Sequence, residues 1–135
     1  MRTLLLAPRL RFRSQDVVKP DGSLALPYLA GGLRDGGIAV DIVDCTVGTG
    51  ADTLEETFYR KRPVGPDMME IGVSDVRLAE IVRGYDVIGI TSIFTMQTSA
   101  ILAMLAVIRE ANSEALIFMG GVNARSLPER FFAAG

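Results

Sequence analysis

Four short apolar runs divide the chain: Thr3–Ala7, Ala39–Asp44, Val87–Thr91 and Ala115–Met119. Runs of this length, bounded by turn residues, predict strands buried in a parallel sheet. Pro8 ends the first. Between the strands, apolar positions recur at helical spacing. A first helix is expected over Leu26–Asp35, with Leu26, Leu29, Ala30 and Leu33 on one face and Gly36-Gly37 as its stop, since glycine tolerates positive φ. Ser74 predicts the N-cap of a second helix running to Arg83, with Val76, Ala79, Ile81 and Val82 inward and Gly84 closing it. A third helix, Ser99–Ala111, places Ile101, Leu102, Leu105 and Ile108 together. The last opens on Ser126-Leu-Pro-Glu129, which reads as a capping box with proline in the first turn, and ends at Gly135. This alternation predicts an α/β domain over residues 1–135, a doubly wound Rossmann/flavodoxin-like parallel sheet with right-handed crossovers.

Two stretches break the pattern. Residues 9–24 read as a long polar loop carrying Arg9, Arg11, Arg13 and Lys19, with a turn at Pro20-Asp21-Gly22. Residues 46–73 are the least patterned: a short helix over Ala51–Lys61, then a loop marked by Pro63, Gly65 and Pro66. In the flavodoxin-like order 2-1-3-4-5 the fourth strand, without a fifth, is an open apolar edge. The expectation is therefore four strands with a fifth missing: the N-terminal part of a longer protein, a truncated product, or a homodimer that covers this edge.

Composition narrows the chemistry. The net charge of −2 over 135 residues gives no electrostatic case for nucleic acid or a membrane surface. The chain has no histidine, which removes the commonest general base and metal ligand. Cys45 is its one cysteine, so it holds no internal disulfide and supplies no cysteine set for zinc or an iron–sulfur cluster. A reducing, cytoplasmic setting is expected. Residues 87–108 carry no charge, but Gly89, Thr91, Ser92, Thr95, Gln97, Thr98 and Ser99 interrupt them, which favours strand, turn and helix over a membrane span.

The candidate chemistry lies at two strand ends. Thr91-Ser92-Ile93-Phe94-Thr95 offers hydroxyls and backbone amides near a helix start, suited to phosphate or amide oxygens; the plain alternative is capping by Thr95 or Thr98. Gly120-Gly121 lets a ligand approach the backbone closely, or simply makes a tight turn. Arg9 and its neighbours would either contact a phosphate or carboxylate bidentately or form a solvated basic loop. Arg60-Lys61-Arg62 reads as a solvated helix end. Cys45 reads as a small buried residue, and Asp44 as a partner for a ligand hydroxyl. Gly48-Thr49-Gly50 lies outside any GxGxxG motif. No nucleophile–base pair, carboxylate dyad or metal cluster can be assembled, so the chain alone reads as a binder.

The order of these features resembles the N-terminal cobalamin (B12)-binding domain of B12-dependent radical SAM proteins. The matching pieces are Leu4-Leu-Leu-Ala-Pro8, Leu26–Gly37 and Val40-Asp-Ile-Val-Asp44. The most specific are Asp86–Gln97, Met119-Gly-Gly-Val-Asn-Ala124 and Leu127-Pro-Glu129. The resemblance implies a domain that clasps cobalamin along the carboxyl ends of its strands, through Pro8, Arg9, Thr91, Ser92, Thr95, Gly120, Gly121 and Asn123. It also implies a cobalamin without histidine ligation, because the DxHxxG motif of other cobalamin domains is absent. SAM and a [4Fe–4S] cluster would belong to a further radical SAM domain, in cis or in trans, since no CxxxCxxC segment occurs here. The rival reading is a flavodoxin-like or receiver-like domain that binds a small ligand or partner without catalysis. A receiver needs acidic residues after strand one and an Asp after strand three, where this chain has Pro8-Arg9 and Thr91-Ser92.

Overall fold

The computed structural model describes residues 1–19 and 23–135. The turn expected at Pro20-Asp21-Gly22 lies outside the described residues. Among the described residues, seven strands run in chain order: β1 (Thr3–Ala7), β2 (Leu10–Arg13), β3 (Val40–Asp44), β4 (Arg62–Gly65), β5 (Met68–Ile71), β6 (Val87–Thr91) and β7 (Leu116–Gly120). The helices are α1 (Ala25–Asp35), α2 (Asp75–Val82), α3 (Thr98–Ala111), α4 (Val122–Ser126) and α5 (Pro128–Ala133). The main sheet has the order β3-β1-β6-β7 and is parallel throughout. It is the doubly wound arrangement expected from the alternation of runs.

Burial explains the sequence of each strand. β1 is central, so Leu4, Leu5 and Leu6 are all buried and none is polar. Leu4 and Leu6, with Ile88 and Ile90 of β6, face α2 and α3; Leu78, Val82, Ile101, Met104, Leu105 and Ile108 complete that core. Leu5 faces the other way, onto Leu26 and Ala30 of α1. The register aligns Leu5 with Gly89 and Gly89 with Phe118. On this second face α1 packs on β1 and β3, while Leu116 and Phe118 of the β7 edge are exposed.

Several helix expectations are corrected. Leu29 is exposed, because α1 lies on the sheet through the narrower stripe Leu26, Ala30 and Leu33. Ser74 does cap α2: its hydroxyl accepts from the Arg77 amide. That cap sets the helix phase so that Leu78 and Val82 point inward and Val76 is exposed. The last helix is two. Ser126 does not cap it; its hydroxyl donates back to the Val122 carbonyl, and Leu127 precedes Pro128 at the first position of α5. Pro128 has no N–H to continue α4, so the chain breaks there.

The largest correction is a second sheet. Residues expected as loops form an antiparallel sheet of order β2-β5-β4, with β4 and β5 joined as a hairpin around the Pro63–Pro66 stretch. The helix expected over Ala51–Lys61 reduces to one wide π-type turn, Glu55–Tyr59. Arg13, Lys19, Arg60 and Lys61 are exposed as expected, but Arg9, Arg11 and Arg62 are not. Glu70 of β5 is 4% exposed and accepts from Arg11 Nε at 2.7 Å, with Arg62 at 3.4 Å and Arg9 at 3.6 Å. Arg9, itself buried, also donates to Asp75 at the start of α2 at 2.6 Å. This network fastens the small sheet to the body. The same packing explains Gly72, whose φ is +128° and where a Cβ would stand 2.8 Å from Arg9 Cγ.

Candidate ligand cleft at the strand carboxyl ends

A cleft of about 680 Å³ opens beyond the carboxyl ends of β1, β3 and β6. This is where open α/β sheets place their ligands, and the volume falls within the range of small-molecule sites. The parallel strands bring Ala7, Asp44 and Thr91 to its floor. Leu10 and Phe12 of β2, with Val17 and Val18 beyond it, form one wall. Ile93, Phe94 and Met96, all exposed, form the opposite rim. Among the described residues, the charged side chains on the lining are Asp16, Asp44 and Lys19.

The polar groups of the floor are held before any ligand arrives. Asp44 Oδ1 accepts from the amide of Thr46 at 2.8 Å and from its hydroxyl at 2.7 Å. Behind this loop, Asp52 accepts from Arg77 Nε at 2.7 Å and from Thr49. Burial alone would raise the Asp52 carboxyl; the bonds from Arg77 and Thr49 outweigh it and hold it below the ordinary aspartate value. On the rim, the amides of Ile93 and Phe94 both donate to Gln97 Oε1, each at 3.1 Å. The backbone amides expected to meet a ligand there are thus occupied by a side chain of the same loop.

The neighbouring β7 end is different. A Cβ on Gly121, where φ is +104°, would lie 2.2 Å from the Ser92 carbonyl oxygen. Only glycine permits that approach, which joins the ends of β6 and β7 tightly. Asn123, 3% exposed, donates from Nδ2 to Ser92 Oγ at 2.8 Å and to Thr98 Oγ1 at 2.9 Å. Ser92 and Thr98 are buried as well. This clamp ties β6, α3 and α4 together.

The eight residues singled out in the sequence therefore divide. Pro8 and Thr91 line the cleft. Gly120 pairs with Thr91 in the ladder and has open space where a Cβ would be, but it is not among the residues that line the cleft. Thr95 is exposed on the rim turn. Arg9, Ser92 and Asn123 are buried, Arg9 in the ion-pair network and the other two in the clamp, and Gly121 packs on Ser92. The residues that sequence reasoning missed are Phe12, Phe58 and Met96, with the valines at 17 and 18. Phe12 and the valines stood in a stretch read as polar loop, Phe58 in the helix expected over Ala51–Lys61, and Met96 in the charge-free run Asp86–Gln97, where the hydroxyls were singled out instead.

Cys45 is fully buried and burial pushes its thiol up to about 12, which leaves it unreactive at neutral pH. Among the described residues no group of three or more histidine, cysteine, aspartate or glutamate side chains is placed to hold a metal ion. No described helix is long and apolar enough to cross a membrane.

No protein-family model and no solved structure matches the chain. A curated protein does: cytidylyl-2-hydroxyethylphosphonate methyltransferase of Streptomyces wedmorensis is 30% identical over 132 residues, 95% of this chain. The chain spans 23% of that protein's length.

Proposed function

We propose that this domain binds cobalamin in the cleft beyond β1, β3 and β6, without histidine ligation, and serves a radical SAM methyl-transfer system whose catalytic domain lies outside this chain. The observation that carries the reading is the cleft itself: wide, open, walled by apolar side chains and floored by Ala7, Asp44 and Thr91. The methyltransferase relative, matched along nearly the whole chain, supports it, because methyl transfer is what the family resemblance implies.

The lining fits such a group. A corrin is a broad, largely apolar ring edged with carboxamides. Ile93, Phe94 and Met96 offer exposed apolar contact, while Asp44, Thr46 and Thr91 offer acceptors for amide N–H groups. Cobalamin is larger than the cleft, so it would stand partly out of it toward a neighbouring domain. When bound, it would supply the methyl-carrying cobalt; this chain's residues would orient the ring and exclude water from one face. SAM and a [4Fe–4S] cluster would be held elsewhere, since this sequence supplies a single, buried cysteine.

The test mixes purified protein with hydroxocobalamin. Co-elution in gel filtration and a changed visible spectrum are expected; free elution with an unchanged spectrum would refute the reading. The flavodoxin-like alternative predicts retention of a flavin or nucleotide instead.

A further inference from the structure

The edge strands of both sheets are guarded, with one exception among the described residues. β3 carries Asp41, and Arg34 Nη2 donates to its Val40 carbonyl at 2.9 Å. β2 carries Arg11 and Arg13, while β4 holds Pro63 beside a break in register. Charge, proline and irregularity are ordinary means of keeping an edge from pairing. β7 has none of them: Leu116-Ile-Phe-Met-Gly120 is uncharged, free of proline and regular along its pairing with β6. On one face Leu116 and Phe118 are 56% and 57% exposed. On the other, a groove of about 580 Å³ lined by Ile117, Met119, Phe131 and Phe132 runs beside the strand.

The ladder with β6 decides which backbone groups of β7 remain. The Leu116 amide donates to the Asp86 carbonyl, and the Gly120 carbonyl accepts from the Ser92 amide. Successive residues of a parallel strand turn their N–H and C=O to opposite sides, so Ile117 and Met119 present theirs to the open edge. We propose that this edge is an interface for a second copy of the chain, paired antiparallel about a two-fold axis at Phe118 into one sheet continuous across both copies. In that register Ile117 exchanges both hydrogen bonds with the other copy's Met119, and the two Phe118 residues meet as a close non-bonded pair. Leu116 faces the other copy's Gly120, where nothing stands within 4 Å of a Cβ position, so a large side chain meets a gap. Neighbouring registers fail. An axis at Ile117 sets Met119 opposite Ala115, whose carbonyl already accepts from Arg109 Nη1 at 2.6 Å. An axis at Met119 sets Ile117 opposite Gly121, whose carbonyl accepts from the Arg125 amide. Charge agrees: the reversal brings Glu114, exposed before β7, to the end where the other copy exposes Arg125, and does so twice. Among the described residues none of β7 lines the ligand cleft, so pairing leaves both clefts open and does not depend on cobalamin.

Sedimentation of the wild-type chain tests this first. At about 100 μM, where even a modest interface is occupied, the expected species has twice the mass of one chain. A single-chain mass there would overturn the proposal and leave the edge to a strand of another kind. Phe118→Lys sets like charges directly opposite each other and should weaken association at least roughly tenfold. Phe118 is exposed in the single chain, so folding does not depend on it. An unchanged dimer in that variant would place the interface elsewhere and refute this one. The register has its own readout. Phe118→Cys sets two thiols at a close pair, with Cα atoms roughly 4.5 Å apart, within disulfide reach. Copper–phenanthroline oxidation should then give a covalent dimer, while Leu116→Cys, facing Gly120, should give little. Cys45 is fully buried and does not compete. Equal cross-linking at both positions, or none at Phe118→Cys, would refute the antiparallel register.

Discussion

The ends of β6 and β7 look alike in sequence and do opposite things in the structure. Both are apolar strands that run into small neutral residues without a charge. At β6, Thr91 and the Ile93–Gln97 loop border an open cleft. One residue pair away, Gly121 presses onto the Ser92 backbone and Asn123 ties down two hydroxyls, so the same kind of sequence is spent on closure. Neutral strand ends are therefore not equivalent ligand shelves. What separates them is burial: Ser92, Thr98 and Asn123 are closed off at one end, while Thr91 and the Ile93–Gln97 loop line open space at the other.

Breaking the closed end should cost most. Gly121→Ala places a Cβ against the Ser92 carbonyl in a positive-φ conformation, and a loss of about 3 kcal/mol or more is expected in urea denaturation. An effect below ~1 kcal/mol would show that β6 and β7 part easily. Asn123→Ala strands the buried Ser92 and Thr98 hydroxyls and should cost about 1–3 kcal/mol by the same measurement.

The loop behind the cleft gives a smaller, pH-dependent effect. The folded Asp52 carboxyl is held below its unfolded value, so its contribution is full above the unfolded pKa and is lost as pH falls through the folded one. Wild type should melt higher than Asp52→Asn at neutral pH, by roughly 1 kcal/mol or less of stability. The difference should shrink steadily below about pH 4; a gap that persists into stronger acid would contradict the Arg77 clamp. Smallest in stability is Thr91→Val on the open side, within about 0.5 kcal/mol of wild type, while hydroxocobalamin affinity falls roughly three- to tenfold through the lost hydroxyl. Unchanged affinity would take Thr91 out of the proposed site.

The sheet was legible because buried parallel strands are apolar, which gives the four runs; the Ser74 cap was legible from its residue type alone. The second sheet was not. Arg11, Arg62 and Glu70 look solvated one at a time, and only their meeting across β2, β4 and β5 makes them interior. Leu29 and Val76 show the same limit at finer scale, since helical spacing gives a stripe but not how wide a stripe the sheet will cover. Pro8 and Thr91 were found because strand ends are positions in a fold. Phe12 and Phe58 were missed because that part of the cleft wall is built by the stretches with no period to read, and Met96 because its neighbours' hydroxyls were read as the chemistry of that loop.

The most direct test follows the backbone amide resonances of the wild-type chain during titration with hydroxocobalamin. Saturable shifts should cluster at Thr46, Thr91, Phe94 and Phe12, with Asn123 and the Leu116–Phe118 edge undisturbed. Shifts centred on the β7 edge, or none at saturating cobalamin, would contradict it.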